Sequence, residues 1–238
     1  RPFPRAKTRV YDSGVPSPVV ARWPAGILKR GADCDALVSA IDLAPTLTKL
    51  AGEKPSRYYQ GKSFAELLEN PEKEFRNYIF SEHNWHDYEA YERMVRTPGY
   101  LYLINRRPEF PNLGPTDALI SPSMEDLKKL KEDGLLKPEQ KDVFLMPRPE
   151  EELYDYRIDP HQVTNVAGDP KYREKLVELR CILLHWQEET GDTTPEDLTP
   201  SWFERDAERY VKTSRHGERG ETPGAARNAD SLLNRGPF

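Results

Sequence analysis

Two cysteines in 238 residues, Cys34 and Cys181, are too few for a disulfide framework or a thiolate metal cluster. They could form one bridge, but as small hydrophobes they are expected to be two free, packed thiols. No apolar run approaches the length of a membrane-crossing helix, and the longest are short, such as "CILLHW" at Cys181–Trp186. The first residues lack the pattern of a secretory leader, and a chain that opens on Arg1 leaves room for one upstream. No Asn-x-Ser/Thr acceptor for N-glycosylation occurs. A net charge of −5 gives no basic footprint for nucleic acid. Polarity is what is abundant: 32% of residues are charged, 22 are prolines, and the mean hydropathy is −0.81. This balance predicts a modest core, long ordered loops and at least one flexible tail.

Along the chain, "SPVVARWP" at Ser17–Pro24 reads as a short strand buried on both faces and closed by Pro24 and Gly26. "IDLAPTLTKLAG" reads as a helix with Asp42 as N-cap, Pro45 in the first turn and Gly52 at the end. Leu43, Leu47, Leu50 and Ala51 share one face of it. A strand followed by a packed helix is the pattern of an α/β layer. From Arg76 the pattern becomes sequential short strands. These are expected near Asn77–Glu82, Glu92–Thr97, Tyr100–Asn105 and Glu152–Tyr156, in an antiparallel sheet. A helix at "SPSMEDLKKLKEDG" interrupts them. The clearest helix runs from Pro170 to Thr190, with Asp169 as cap and Gly191 as stop. Its stripe of Tyr172, Leu176, Leu179, Leu183 and Trp186 is expected to cover one sheet face. The predicted organisation is therefore residues 1–70 as the end of an α/β layer, 71–192 as an antiparallel-sheet subdomain, and 193–238 as an extended arm.

Three places could carry chemistry. Lys7 sits in "PRAKTRVYDSG", a loop ahead of the first strand, where ligand loops of open α/β sheets lie. An ammonium there suits a sulfate or phosphate, and the alternative is an ordinary solvated lysine. "SEHNWHDYEAYER" gathers His83, His86, Asp87 and Arg93. Two histidines three apart could bind metal, but no third ligand at suitable spacing stands out. The remaining readings are a polar loop between strands or a rim that hydrogen-bonds sugar hydroxyls and amines. Trp85 could stack on a sugar or simply pack. The basic residues Arg215, Arg219, Arg227 and Arg235 could touch a sulfated polysaccharide or belong to a solvated arm.

"AKTRVYDSGVPSPVVARWP" resembles a segment late in the catalytic domain of sulfatases, through Lys7, Tyr11, Asp12, Gly14, Pro18, Trp23 and Pro24. "AIDLAPTLTKLAG" resembles the helix that follows there, and "EELYDYRIDPHQVTNVAGDP" resembles the closing motif of the family. The "ISPSMEDLKKL" and "SEHNWHDYEAYERMVRT" stretches look most like the sulfamidase branch. The resemblance implies the end of an alkaline-phosphatase-like α/β catalytic domain followed by a small subdomain, in which a four-stranded antiparallel sheet is packed by a long helix. It also implies a hydrolase of sulfate esters or N-sulfates of sulfated sugars, heparan sulfate among them, working outside the cytoplasm (in periplasm, lysosome or medium).

By the same resemblance Lys7 is catalytic and contacts a sulfate oxygen, and His86 and Asp87, with His83 and Arg93, bind the sugar. The family uses calcium and a formylglycine made within Cys/Ser-x-Pro-x-Arg. Cys34 in "DCDALVS" and Cys181 in "RCILLHW" do not fit that motif, nor does any other stretch. The chain is thus expected to need an N-terminal catalytic portion and to be inactive alone. A phosphoester or phosphonate hydrolase of the same superfamily, or a non-catalytic module binding sulfated glycans, are the competing readings.

Overall fold

The computed structural model describes residues 5–112, 114–193, 198–204, 209–211 and 219–220. Its centre is a four-stranded antiparallel meander of β1 (Ile79–His86), β2 (Tyr88–Arg96), β3 (Tyr100–Asn105) and β4 (Glu151–Asp155), paired in that order. The helices are α1 (Leu43–Leu50), α2 (Ala65–Glu69), α3 (Thr116–Leu119), α4 (Pro122–Glu132), α5 (Pro138–Lys141) and α6 (Arg173–Thr190). The fold is therefore mixed α/β, with the antiparallel sheet and long helix that the sequence leads one to expect. Helices α3 to α5 occupy the long connection between β3 and β4.

The central strands β2 and β3 are buried on both faces, which is why Tyr100–Asn105 reads as a near-continuous apolar run rather than a clean alternation. Val95, Tyr102, Ile104 and Leu153 face α6 and meet Tyr172, Leu176, Leu179 and Leu183. Trp186 stacks on Phe80 with ring centroids 4.9 Å apart. The helix expected from Pro170 begins as a 3-10 turn, Pro170–Tyr172, that the Asp169 carboxylate caps by accepting from the Lys171 amide; α6 follows it, and Gly191 closes the helix at φ 66°.

The opposite face is covered by an irregular loop, residues 5–15. Val10 and Tyr11 pack against Met94, Leu101, Leu103 and Tyr154. The loop curls tightly: the Gly14 and Val15 amides both donate to Tyr11 O, and Ser13 Oγ donates to Arg5 O. Gly14 is required by this closure, because a Cβ there would lie 2.1 Å from Ala6 O and 2.3 Å from Arg9 O. Asp12 takes Arg96 from the end of β2, and its amide donates to the buried Gln162.

Four expectations are corrected. Ser17–Pro24 forms no strand and is exposed, with Val20 92% accessible, because no strand among the described residues pairs with it. Helix α1 forms as expected, yet it buries Pro45 and Thr46 and leaves Leu43 and Leu47 exposed. The Asp42 carboxylate does not cap α1; it accepts from the Ser39 and Lys62 amides and from Arg76. Both cysteines are free as expected but exposed rather than packed. No helix among the described residues is long and apolar enough to cross a membrane.

Gly14→Ala should destabilise the protein by about 1–3 kcal/mol, the usual scale of forced overpacking. Thermal melts check this. A Gly14→Ala protein melting with the wild type would show that the loop can open without loss.

Candidate functional site

Side chains of the loop over the sheet divide by direction. Arg5, Arg9 and Tyr11 point inward and are buried, whereas Lys7 points outward. The inward set ends in an ionic cluster centred on Glu92 of β2, itself 1% accessible. Arg148 Nη1 lies 2.6 Å and Arg9 Nη1 3.3 Å from Glu92 Oε1, and His83 Nδ1 lies 2.9 Å from Oε2. Burial would push the Glu92 carboxyl up, but Arg148, Arg9 and His83 together hold it well below the usual carboxylate range. Beside it, the Tyr11 and Tyr154 hydroxyls donate to Glu152 at 2.8 and 2.6 Å. Burial pushes the Glu152 carboxyl up against the opposing pull of Arg148. Arg5 lies over the Tyr11 ring at 4.2 Å and pairs with Asp142. The tyrosine, the acid and the arginines of the motif thus lock the loop onto the sheet.

Lys7 emerges from this anchorage at an exposed position. Its Nζ donates to Asp117 Oδ2 at 2.6 Å, and both side chains are more than half exposed. Lys7 holds the Asp117 carboxyl below its ordinary value. Thr8, next to Lys7, has φ 67°, a left-handed backbone that a β-branched residue rarely adopts. Such strain, of order 1–3 kcal/mol, persists only where the surroundings over-determine it.

The polar stretch around His86, which could have been a loop, is a hairpin tip. β1 and β2 run on toward each other, His86 opposes Tyr88, and Asp87 alone turns the chain at φ 61°. Ala90 and Tyr91 stand opposite the single residue Asn84, a bulge of the kind that re-aims side chains next to functional sites. Asp87 Oδ2 accepts from Thr116 N at 3.1 Å and Thr116 Oγ1 at 3.0 Å, and His86 Nε2 stands 3.9 Å from it. Asp117, the partner of Lys7, follows Thr116 directly. Lys7, His86 and Asp87 therefore converge on the start of α3, through residues that are distant in sequence.

Asp117 is the member that sequence reasoning missed. In "GPTDAL" it looks like any carboxylate in a helical first turn, and its partner lies 110 positions away. Two expected rim residues are placed elsewhere. Arg93 is fully buried, with Nε 2.6 Å and Nη2 2.8 Å from the carboxylate of Asp192 and its guanidinium over Tyr91. It joins the sheet to the end of α6 instead of lining a rim. His83 belongs to the Glu92 cluster, with its side chain 12% accessible. Trp85 packs against Trp202. Of the expected basic arm, Arg215, Arg227 and Arg235 lie outside the described residues. No group of three or more metal-ligating side chains occurs among the described residues.

Comparison with known proteins gives the lineage of the chain. Residues 6–101 match the family model for the C-terminal part of N-sulphoglucosamine sulphohydrolase. An ulvan-active sulfatase of Formosa agariphila is 39% identical over 193 residues, covering 80% of this chain and 32% of its own. The N-sulphoglucosamine sulphohydrolase of Homo sapiens is 28% identical over 204 residues, covering 80% of this chain and 40% of its own. A solved 2-O glycosaminoglycan sulfatase is 27% identical with a TM-score of 0.40, covering 62% of this chain and 24% of that one. The chain thus spans roughly a third of the length of the curated relatives it matches. The chain belongs to the sulfatase family, and the family model it matches is that of a C-terminal part.

Glu92→Gln should destabilise the protein by about 3–5 kcal/mol, because it leaves Arg9 and Arg148 buried without their counter-charge. The folded value of Glu92 is depressed, so its ionisation contributes stability above the ordinary value of about 4.3. That contribution is lost as pH falls through the depressed value. Chemical denaturation of both proteins between neutral and acid pH checks this. The gap should narrow toward acid; a gap that is small, or independent of pH, contradicts the account.

Proposed function

We propose that this chain is the C-terminal portion of a sulfatase that hydrolyses sulfate esters or N-sulfates on sugars. The observation that carries the reading is the convergence of Lys7, Asp117, His86 and Asp87 on one exposed rim, in a chain of sulfatase lineage. Lys7 is the catalytic residue. Its ammonium rests on Asp117 and exchanges that partner for a sulfate oxygen when substrate arrives. As the S–O or S–N bond breaks, negative charge grows on the departing group and on the sulfate oxygens, and a fixed cation beside them stabilises that change. His86 and Asp87 bind the sugar: an imidazole edge and a carboxylate fixed by Thr116 suit hydroxyl and amine groups. Arg93 and His83 support this rim from inside, through Asp192 and Glu92.

No stretch of the chain has the Cys/Ser-x-Pro-x-Arg motif that a formylglycine needs, and no group of three or more metal-ligating side chains occurs among the described residues. The formylglycine and the calcium are both expected from the N-terminal catalytic portion. That portion is also the natural partner for the exposed apolar side chains of Val19, Val20, Leu28, Leu43 and Leu47. Residues 1–70 then complete its α/β layer, and 71–192 form the subdomain that carries the rim. The cellular setting proposed is the one such enzymes share: periplasm, lysosome or medium.

In the complete enzyme, Lys7→Ala should lower kcat roughly a hundredfold or more, the scale seen on losing one placed stabilising donor. The melting temperature should hardly move, because Lys7 is half exposed. His86→Ala should instead raise KM for the sulfated sugar more than for a small aryl sulfate. Steady-state kinetics on N-sulfoglucosamine and an aryl sulfate check both; near-normal turnover by Lys7→Ala on each would remove the assignment. Residues 1–238 alone should turn over neither substrate with calcium present, and turnover above background would contradict the division of labour.

A further inference from the structure

The rim does not stop at His86. The Trp85 ring centroid lies 6.4 Å from that of His86, and on its other side Trp85 meets Trp202 edge-on at 4.5 Å. The exposed Arg219 guanidinium lies over both indoles, 4.9 Å from Trp85 and 4.5 Å from Trp202. The platform is fixed by the returning chain. Trp85 Nε1 donates to Pro200 O at 2.9 Å, the Trp202 amide to Asp87 O at 2.8 Å, and the Gly220 amide to Thr199 Oγ1 at 3.1 Å.

Arg219 also differs from the buried arginines of this protein. Arg5, Arg9, Arg93, Arg96 and Arg148 are each paired with a carboxylate. Arg219 has no carboxylate partner among the described residues, in a chain where acids outnumber bases by 40 to 35. A guanidinium held by ring faces keeps the N–H edge of its fork for a planar or tetrahedral oxyanion, and no carboxylate among the described residues cancels its charge.

We propose that Arg219, seated on Trp85 and Trp202, is a second anion subsite that takes a sulfate or uronate carboxylate on a sugar beyond the one at His86. The substrate is then an anionic oligosaccharide rather than a monosaccharide, and Arg219 helps determine that preference. This rests on the sulfated-sugar reading above and extends it along the chain of the substrate.

Calorimetric titration of the complete enzyme tests it, using a sulfated, uronate-containing tetrasaccharide, its desulfated counterpart and N-sulfoglucosamine. Arg219→Ala should weaken tetrasaccharide binding roughly tenfold, the scale of one charge-assisted pair, and shrink the preference for tetrasaccharide over monosaccharide. Arg219→Lys, which keeps the charge but not the flat fork, should fall between. If the desulfated tetrasaccharide keeps its dependence on Arg219, the subsite reads carboxylate; if it loses it, the subsite reads sulfate. Equal tetrasaccharide affinity in wild type and Arg219→Ala, or a wild type that does not bind tetrasaccharide, overturns the proposal. Absence of turnover on any sulfated sugar would instead remove the sulfatase reading, while the binding titration still decides the subsite.

Discussion

The structure depends on one buried carboxylate. Glu92 lies within the sheet, almost wholly out of water, and is held ionised by Arg9, Arg148 and His83. Taking these charges out of water is costly unless every partner is in place. The partners come from the N-terminal loop, from β1 and from the segment before β4, so the cluster forms only when all three are assembled. It ties an irregular loop, which has little secondary structure of its own, to the face of a sheet. The outward residue of that loop, Lys7, inherits a defined position from inward neighbours that have no chemistry to perform.

The same logic holds at the hairpin tip. Asp87 turns the chain in a conformation that favours glycine, and contacts from two sides keep it there. Thr116 donates to its side chain and the Trp202 amide donates to its backbone oxygen. Tyr88 and Phe203 fill the space beneath, with Leu119 and Met124. Residues 200–203 are therefore a brace for the rim. Strain at Thr8 and Asp87 flanks the groups assigned to binding and catalysis, which is where such strain is usually retained.

Much of the sheet and of α6 was legible in the sequence, because local signals and tertiary packing agree there. Tyr100–Asn105 reads as a strand and is one, Asp169 caps the 3-10 turn that leads into the long helix, and Gly191 ends that helix. The strand expected at Ser17–Pro24 and the covered face expected on α1 fail for a shared reason: an apolar stripe needs a partner surface, and the described residues do not provide one. The His83–Tyr91 stretch carries no strand signal, leaving a polar loop or a rim as its readings, because its polar side chains meet an ionic cluster and the returning chain rather than an apolar core. Arg93 was legible as a charge but not as a buried one, since Asp192 lies 99 positions away. Asp117 was hidden for the same reason. Long-range pairing of charged side chains leaves no periodicity behind.

The central claim is that the loop carrying Lys7 is held as rigidly as the sheet beneath it. Amide hydrogen exchange of the complete protein tests this most directly. The Arg9, Asp12, Gly14 and Val15 amides all donate within the fold. Peptides covering residues 6–15 should therefore exchange as slowly as those from β2 and β3, and far more slowly than residues 17–38. Exchange across residues 6–15 at the rate of an open loop would contradict the account.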